Sequence, residues 1–201
     1  MNTYLYNGEV VTASNKNEVL NPKKVVAIDM FHLKELISEA IDKYGNNCAL
    51  NFIDVSRVTD MSEMFMDSNF NGDISKWNVS NVINMSYMFS DSKFNGDISK
   101  WNVSKVEDME GMFNNSEFNG DISKWNVSKV KNMSWMFANS KFNGDISKWN
   151  VSKVENMSNM FNSSKFNGDI SKWIPMMKKN GIDFDDLELK IKEDTWNDIE
   201  V

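Results

Sequence analysis

The sequence predicts an α/β repeat solenoid with one short strand and one short helix in each 24-residue coil and non-repeat caps at both ends. Three observations carry this. The stretch FNGDISKWNVS begins at Phe70 and again at Phe94, Phe118 and Phe142, with a shortened FNGDISKW at Phe166. Apolar residues return to the same eight slots in each unit, which in the second are Val79, Val82, Met85, Met88, Phe89, Phe94, Ile98 and Trp101. Residues 1–49 and 174–201 lack the pattern. Self-similarity at a fixed period of this size marks a stacked architecture. Eight apolar side chains cannot offset the ordering of a whole unit, so neighbouring units have to cover one another.

In the N-terminal cap, residues 1–49, the segment YLYNGEVV reads as a hairpin turning at Asn7-Gly8, and Val25 to Ile28 as a further strand. Asp29 is placed to cap a helix over 30–44 that Gly45 stops. Leu33, Ile37, Ala40 and Ile41 share one face of that helix. It should lie on the start of the array, because Leu50, Ile53, Val55 and Val58 match the spacing of Ile74, Trp77, Val79 and Val82.

Within the repeat region, residues 50–173, the apolar residues of KWNVS alternate, with Trp77 and Val79 on one side, as a short strand requires. Val82, Met85, Met88 and Phe89 then follow a helical stripe. Ser80 is placed to cap this turn, and the Ser-x-x-Glu spacing at Ser104/Glu107 and Ser152/Glu155 adds a capping box. The Asn-Gly pairs, starting with Asn71-Gly72, are read as corners of positive φ. In the C-terminal cap, residues 174–201, Pro175 removes a ladder donor. Met176 to Phe184 and the alternation Leu187, Leu189, Ile191 are expected to cover the last coil, closing the array at both ends.

The repeat resembles the BspA-like leucine-rich-repeat proteins of bacteria, whose units carry the signature FNxDISxWxVSxVxxMxxMF. The resemblance covers Leu50 to Trp173. It implies a leucine-rich-repeat-like solenoid, a role in surface attachment or protein binding, and no catalytic residues. Members of that family are usually exported, whereas MNTYLYNGEVVTASNKNEVL has neither a basic n-region nor an apolar h-region. A cytoplasmic location is therefore expected, or the cell surface if the chain is an adhesin displayed by another route.

Hydrophobic residues make up 41% and charged residues 25%, which excludes a disordered chain, and no apolar run reaches membrane length. The single cysteine, Cys48, excludes an internal disulfide framework and is read as a partly buried thiol of the cap. The net charge of −7 is concentrated at the end, where residues 183–201 hold eight acidic residues against Lys190 and Lys192. An acidic end argues against nucleic acid as a direct ligand and allows a basic partner; as a solvated terminus it serves solubility alone.

Several columns invite chemistry. The Asp column (Asp73, Asp97, Asp121, Asp145, Asp169) could hold calcium, but it is read as accepting backbone amides at the corners, screened by the lysines three residues on. The Asn column (Asn71, Asn95, Asn119, Asn143, Asn167) is read as a stacked amide ladder and the Trp column, from Trp77 to Trp173, as core. His32 is the only histidine and has no triad around it in the sequence. One His and one Cys do not make a zinc site, and FNGDIS lacks the phosphate-loop spacing. No cofactor and no metal are expected. The Asn-Val-Ser triplets are read as a by-product of the repeat.

The surface remains. The helical stripe leaves positions 83, 87 and 90 and their equivalents pointing outward, and these vary while the frame is copied. Glu63, Ile83, Tyr87, Trp135 and Asn159 are the candidate partner-binding residues, with Tyr87 and Trp135 as hot-spot types; the alternative is that outer slots are simply unconstrained. Lys100, Lys124 and Lys148 form a possible second face, for an acidic partner or for the solubility of exposed strands. The sequence thus reads as a monomeric, non-enzymatic scaffold for a protein partner, with no membrane insertion. The alternatives are a cell-surface adhesin and an intracellular inhibitor of a nucleic-acid-handling effector.

Overall fold

The computed structural model describes residues 2–6, 9–13 and 25–189. Strands β1 (Asn2–Tyr6) and β2 (Glu9–Ala13) pair antiparallel with Tyr6 opposite Glu9; the Asn7-Gly8 turn, Ile191 and most of the acidic end lie outside the described residues. Strand β3 (Val25–Val26) pairs in parallel with β4 (Ile53–Asp54). Between them runs helix α1 (Met30–Tyr44), whose first turn is capped by Asp29 accepting the His32 amide at 2.8 Å. It ends at Gly45, whose φ of 81° suits glycine, and it buries Leu33, Ile37 and Ala40.

From Leu50 onward the 24-residue units stack. The amides of Met61, Glu63, Phe65 and Asp67 each donate at 2.9 Å to the carbonyls of Asn84, Ser86, Met88 and Ser90 in the next coil. The same bonds recur down the array, and parallel bridges join Asp60, Asn84, Asp108, Asn132 and Asn156. Every repeat slot from Val79 to Trp101 is at most 4% exposed. Phe89 stacks on Phe94 of its own coil at 4.4 Å and on Phe113 of the next at 5.7 Å, so each coil completes its neighbour's core.

The expected helix and strand of each coil are not formed. Among the described residues no α-helix lies between Tyr44 and Ile174. The Val82–Phe89 stripe is a run of tight turns, with Met88 bonding back to Met85 and Ser90 to Tyr87, and with left-handed φ at Tyr87 (53°) and Asp91 (54°). Other amides of this segment bond to the neighbouring coil instead of four residues back. Such turns also bring every third residue inward, which is why they carry helical spacing. In KWNVS, Trp77 and Val79 do point inward, but the Trp77 amide bonds to Ile74 O and the Val82 amide to Val79 O, closing turns within the coil. There the coils are joined by the indole: Trp77, Trp101, Trp125 and Trp149 donate Nε1–H to Leu50, Ile74, Ile98 and Ile122 carbonyls of the preceding coil at 3.0–3.2 Å.

The corners differ too. No repeat Asn-Gly pair has positive φ. Glycine is needed for closeness: a Cβ on Gly72 would sit 1.9 Å from Cys48 O, and one on Gly96 would sit 2.8 Å from the Phe94 ring. The Asn column does not stack amide on amide; Oδ1 of Asn71, Asn95 and Asn119 accepts the backbone amide of the next coil's Asn at 2.8 Å. Capping by Ser80 and by the Ser104/Glu107 pair does not occur, because Asn78 and Asn102 accept the Ser80 and Ser104 amides.

At the far end α2 (Ile174–Asn180) starts with Pro175 in its first turn and stops at Gly181. Asn180 Nδ2 donates to the carbonyls of Ser152 and Val154, and the last turns, around Asp185–Leu187, accept the Asn159 and Phe161 amides. The fully buried Trp173 has no acceptor for its indole N–H among the described residues.

Candidate functional site

The varied slots sit on the run of turns. Glu63, Tyr87, Gly111, Trp135 and Asn159 form one column, because the amide of each donates to the residue 23 positions on: Ser86, Glu110, Ser134, Ser158 and Asp186. All five have φ between 54° and 58° except Tyr87, at 53°, a conformation that costs a residue with a Cβ free energy. Gly111 is the one member that adopts it without that cost.

The candidate residues are not equivalent. Ile83 is 46% exposed and Trp135 37%, and Glu63 is exposed. Asn159 is half-buried and tied through its amide to Asp186 O at 2.6 Å. Tyr87 is half-buried and engaged with the next coil: its Oη donates to Glu110 Oε1 at 2.5 Å, and its ring lies where a Cβ on Gly111 would be only 2.4 Å away. This hydrogen bond, with burial added, pushes the Tyr87 hydroxyl up to about 12. The third expected outward slot turns inward, with Ser90 2% and Ala138 0% exposed, although Met66 remains 41% exposed. The 100°-per-residue rule failed there because the segment is not helical.

The Glu110-Gly111 pair was not singled out from the sequence, yet it carried a signal. Other coils have Ser at the Glu110 slot (Ser62, Ser86, Ser134, Ser158), and the two departures occur together one coil after Tyr87. Glu110 Oε2 also accepts Asn132 Nδ2 at 3.0 Å, extending the network to a third coil.

The side-chain oxygens of the Asp column have defined work. Oδ1 of Asp97, Asp121 and Asp145 accepts the amide of the serine two residues on at 2.9 Å. The hydroxyl and amide of Ser99 and Ser123 hold Asp97 and Asp121 below the usual carboxylate range. The same Asx turn recurs at Asn78–Ser80 and Asn84–Ser86, so a coil contains three Asp/Asn-x-Ser turns. Among the described residues no three His, Cys, Asp or Glu side chains gather as a metal set. Burial raises the Cys48 thiol; its Sγ lies 3.8 Å from Ala40 O.

On the second face Lys100, Lys124 and Lys148 are all exposed. Of the outer charged slots, Lys131 pairs with Glu107 at 2.7 Å, and Lys141 pairs with Glu117. The Lys131 ammonium holds Glu107 below its ordinary range and is itself raised. A cleft of about 300 Å³ lined by Lys131, Ser152, Lys153, Glu155 and Asn180 lies where the C-terminal cap meets the last coil.

A family profile described as Mycoplasma protein of unknown function, DUF285, matches the chain twice, over residues 31–139 and 93–183. The chain belongs to this family, a BspA-like repeat family. Comparison with curated proteins returns no match, and neither does comparison with solved structures. No helix among the described residues is long and apolar enough to cross a membrane.

Proposed function

We infer that the chain is a non-enzymatic, leucine-rich-repeat-like scaffold that binds a protein partner through its varied outer slots. The observation that supports this is the contrast between frame and slot. The inward side chains and the Asx turns repeat almost letter for letter, while Ile83 and Trp135 leave large apolar surface in water at positions where other coils carry Thr59, Glu107 or Asn159. Exposed aromatic and branched side chains on a rigid frame are the groups that interface hot spots favour. Tyr87 acts in this reading as a brace that holds the column's geometry, through Glu110 and Gly111.

The test is partner capture with purified full-length chain, wild type against Trp135→Ala and Ile83→Ala. Capture that Trp135→Ala reduces at least tenfold while the melting curve stays put supports the reading. Capture indifferent to both substitutions rejects these slots.

Membership in a BspA-like family favours one more specific reading, attachment at a cell surface. Protease treatment of intact cells separates it from a cytoplasmic scaffold: loss of the protein supports display, and full protection excludes it.

A further inference from the structure

A different face carries a regular charge pattern that the varied slots do not involve. Lys100, Lys124 and Lys148 form one column, and Lys105, Lys129 and Lys153, five residues further on in each coil, form a second. All six are exposed. The second column stands in a slot that the repeat does not fix: Asn81 holds it in one coil, yet Arg57 and the three lysines keep it basic in the other four.

Between the columns the chain turns Trp101 and Val103 inward and leaves Asn102 outside, a pattern repeated at Asn126 and Asn150. The Oδ1 of Asn102 accepts the Ser104 amide at 3.2 Å, and Asn126 and Asn150 bond likewise. With the oxygen engaged, what each of these amides offers outward is its NH2. Each coil therefore presents an ammonium, an amide donor and a second ammonium, a strip of donors only.

The two ion pairs among the described residues, Lys131–Glu107 and Lys141–Glu117, involve neither column. Lys105 Nζ donates to Asn81 Oδ1 at 2.7 Å, a neutral acceptor that leaves its charge in place. Carboxylates bound the strip on both flanks. Asp97, Asp121 and Asp145, anchored in their Asx turns, line one side, and Glu107 and Glu155 line the other.

We propose that this strip binds a linear sulfated polysaccharide lying along the stack. Cations in each column recur at the coil spacing, about 4.8 Å where backbone bonds join neighbours, a step of the order by which one sugar advances in an extended polysaccharide. A donor-only strip matches a ligand whose outer groups are sulfates, carboxylates and hydroxyls, and acidic flanks confine it to one track. Single-stranded nucleic acid would need aromatic platforms for its bases, and the tryptophans under the strip are at most 4% exposed. A folded protein partner would need an apolar centre, which a lattice of Lys and Asn does not supply.

The test uses the full chain with a heparin-derived octasaccharide as probe, and a single-stranded oligonucleotide of similar charge beside it, each titrated at low and at moderate salt. The wild type binds the octasaccharide, and salt weakens it steeply because exposed charges are screened. Joint Lys105→Gln, Lys129→Gln and Lys153→Gln substitution weakens binding at least tenfold and flattens the salt dependence. Joint Lys93→Gln, Lys141→Gln and Lys165→Gln substitution, in a column off the strip, changes it less than threefold. An absence of octasaccharide binding, equal loss in both triple variants, or equal or tighter binding of the oligonucleotide overturns the proposal. These readouts leave the Trp135 face untouched, so they stand or fall separately from the protein-binding reading.

Discussion

The indole of Trp125 donates its Nε1–H to the carbonyl of Ile98, in the preceding coil, at 3.1 Å. A side chain that is 4% exposed therefore acts as both core and rung, and the same bond is repeated at Trp77, Trp101 and Trp149. Trp125→Phe keeps most of the packing and deletes the rung, leaving the Ile98 carbonyl without its partner. A loss of about 1–3 kcal/mol is expected, against about 3–5 kcal/mol for Trp125→Ala. Trp135→Ala, on the outer face, should cost less than about 0.5 kcal/mol. Urea melts of the three variants check this order, and a Trp135→Ala cost above that of Trp125→Phe would refute it.

Gly111 and Tyr87 should be energetically coupled. A Cβ at Gly111 meets the Tyr87 ring and also a φ of 54°. Gly111→Ala is expected to lose about 1–2 kcal/mol from the left-handed backbone alone, and more while the ring is present. In a Tyr87→Ala background the loss should shrink toward the backbone value. A double-mutant cycle with no coupling would show that the ring does not rest on this glycine.

Tyr87 also makes an alkaline prediction. Its folded value of about 12 lies above the ordinary value near 10, so the neutral hydroxyl is favoured in the folded chain. The stabilisation is fully present below about pH 10 and is lost as pH rises through about 12. Ultraviolet titration of tyrosinate in wild type and Tyr87→Phe should show one late-titrating group that the variant lacks. Identical curves would contradict the Glu110 hydrogen bond.

The turn-forming carboxylates act with the opposite sign. Asp97 is held low by Ser99, so its contribution is present above the unfolded value near 4 and is lost as pH falls through the lower folded value. Asparagine keeps the same acceptor oxygen, as Asn78 and Asn84 do in their own turns. Asp97→Asn should leave the melting midpoint at neutral pH nearly unchanged and weaken its acid dependence, whereas Asp97→Ala should lower the midpoint. A drop of equal size in both variants would mean that charge, not the turn, matters there.

What the sequence discloses here is which side chains are inside, and it discloses less about the backbone that puts them there. Period and slot follow from hydrophobic identity, and the inward phase of Trp77, Val79, Val82 and Met85 is readable because burial has to recur at the same place in each coil. The helix 30–44 is likewise marked by Asp29 and Gly45 on either side. The conformation of Val82–Phe89 is not readable from spacing alone, since a helix and a run of turns both return an inward residue after three steps. The information that separates them is Asp/Asn-x-Ser, present three times per coil, which fixes the amide of the third residue locally and opposes helix formation. Glycine at 72 and 96 was legible as a special position, but its reason, the ring of the phenylalanine two residues earlier, exists only once the coil is closed. Tyr87 was legible as an outer aromatic, and its engagement with Glu110 and Gly111 depends on a neighbour one coil away.

The central claim is that the 24-residue unit is the structural unit, held to its neighbours by bonds that repeat at that offset. Removal of residues 102–125 takes out one whole unit and brings Trp101 against Asn126, the same junction that Asn102 makes in the intact chain. Removal of 102–113 takes out the same kind of residues but half the period. Circular dichroism melts of the two deletions measure the claim directly. The whole-unit deletion should keep a cooperative transition at modest cost, because interface terms between coils are preserved, and the half-unit deletion should abolish it. Equal damage from both would contradict the stacked-unit account.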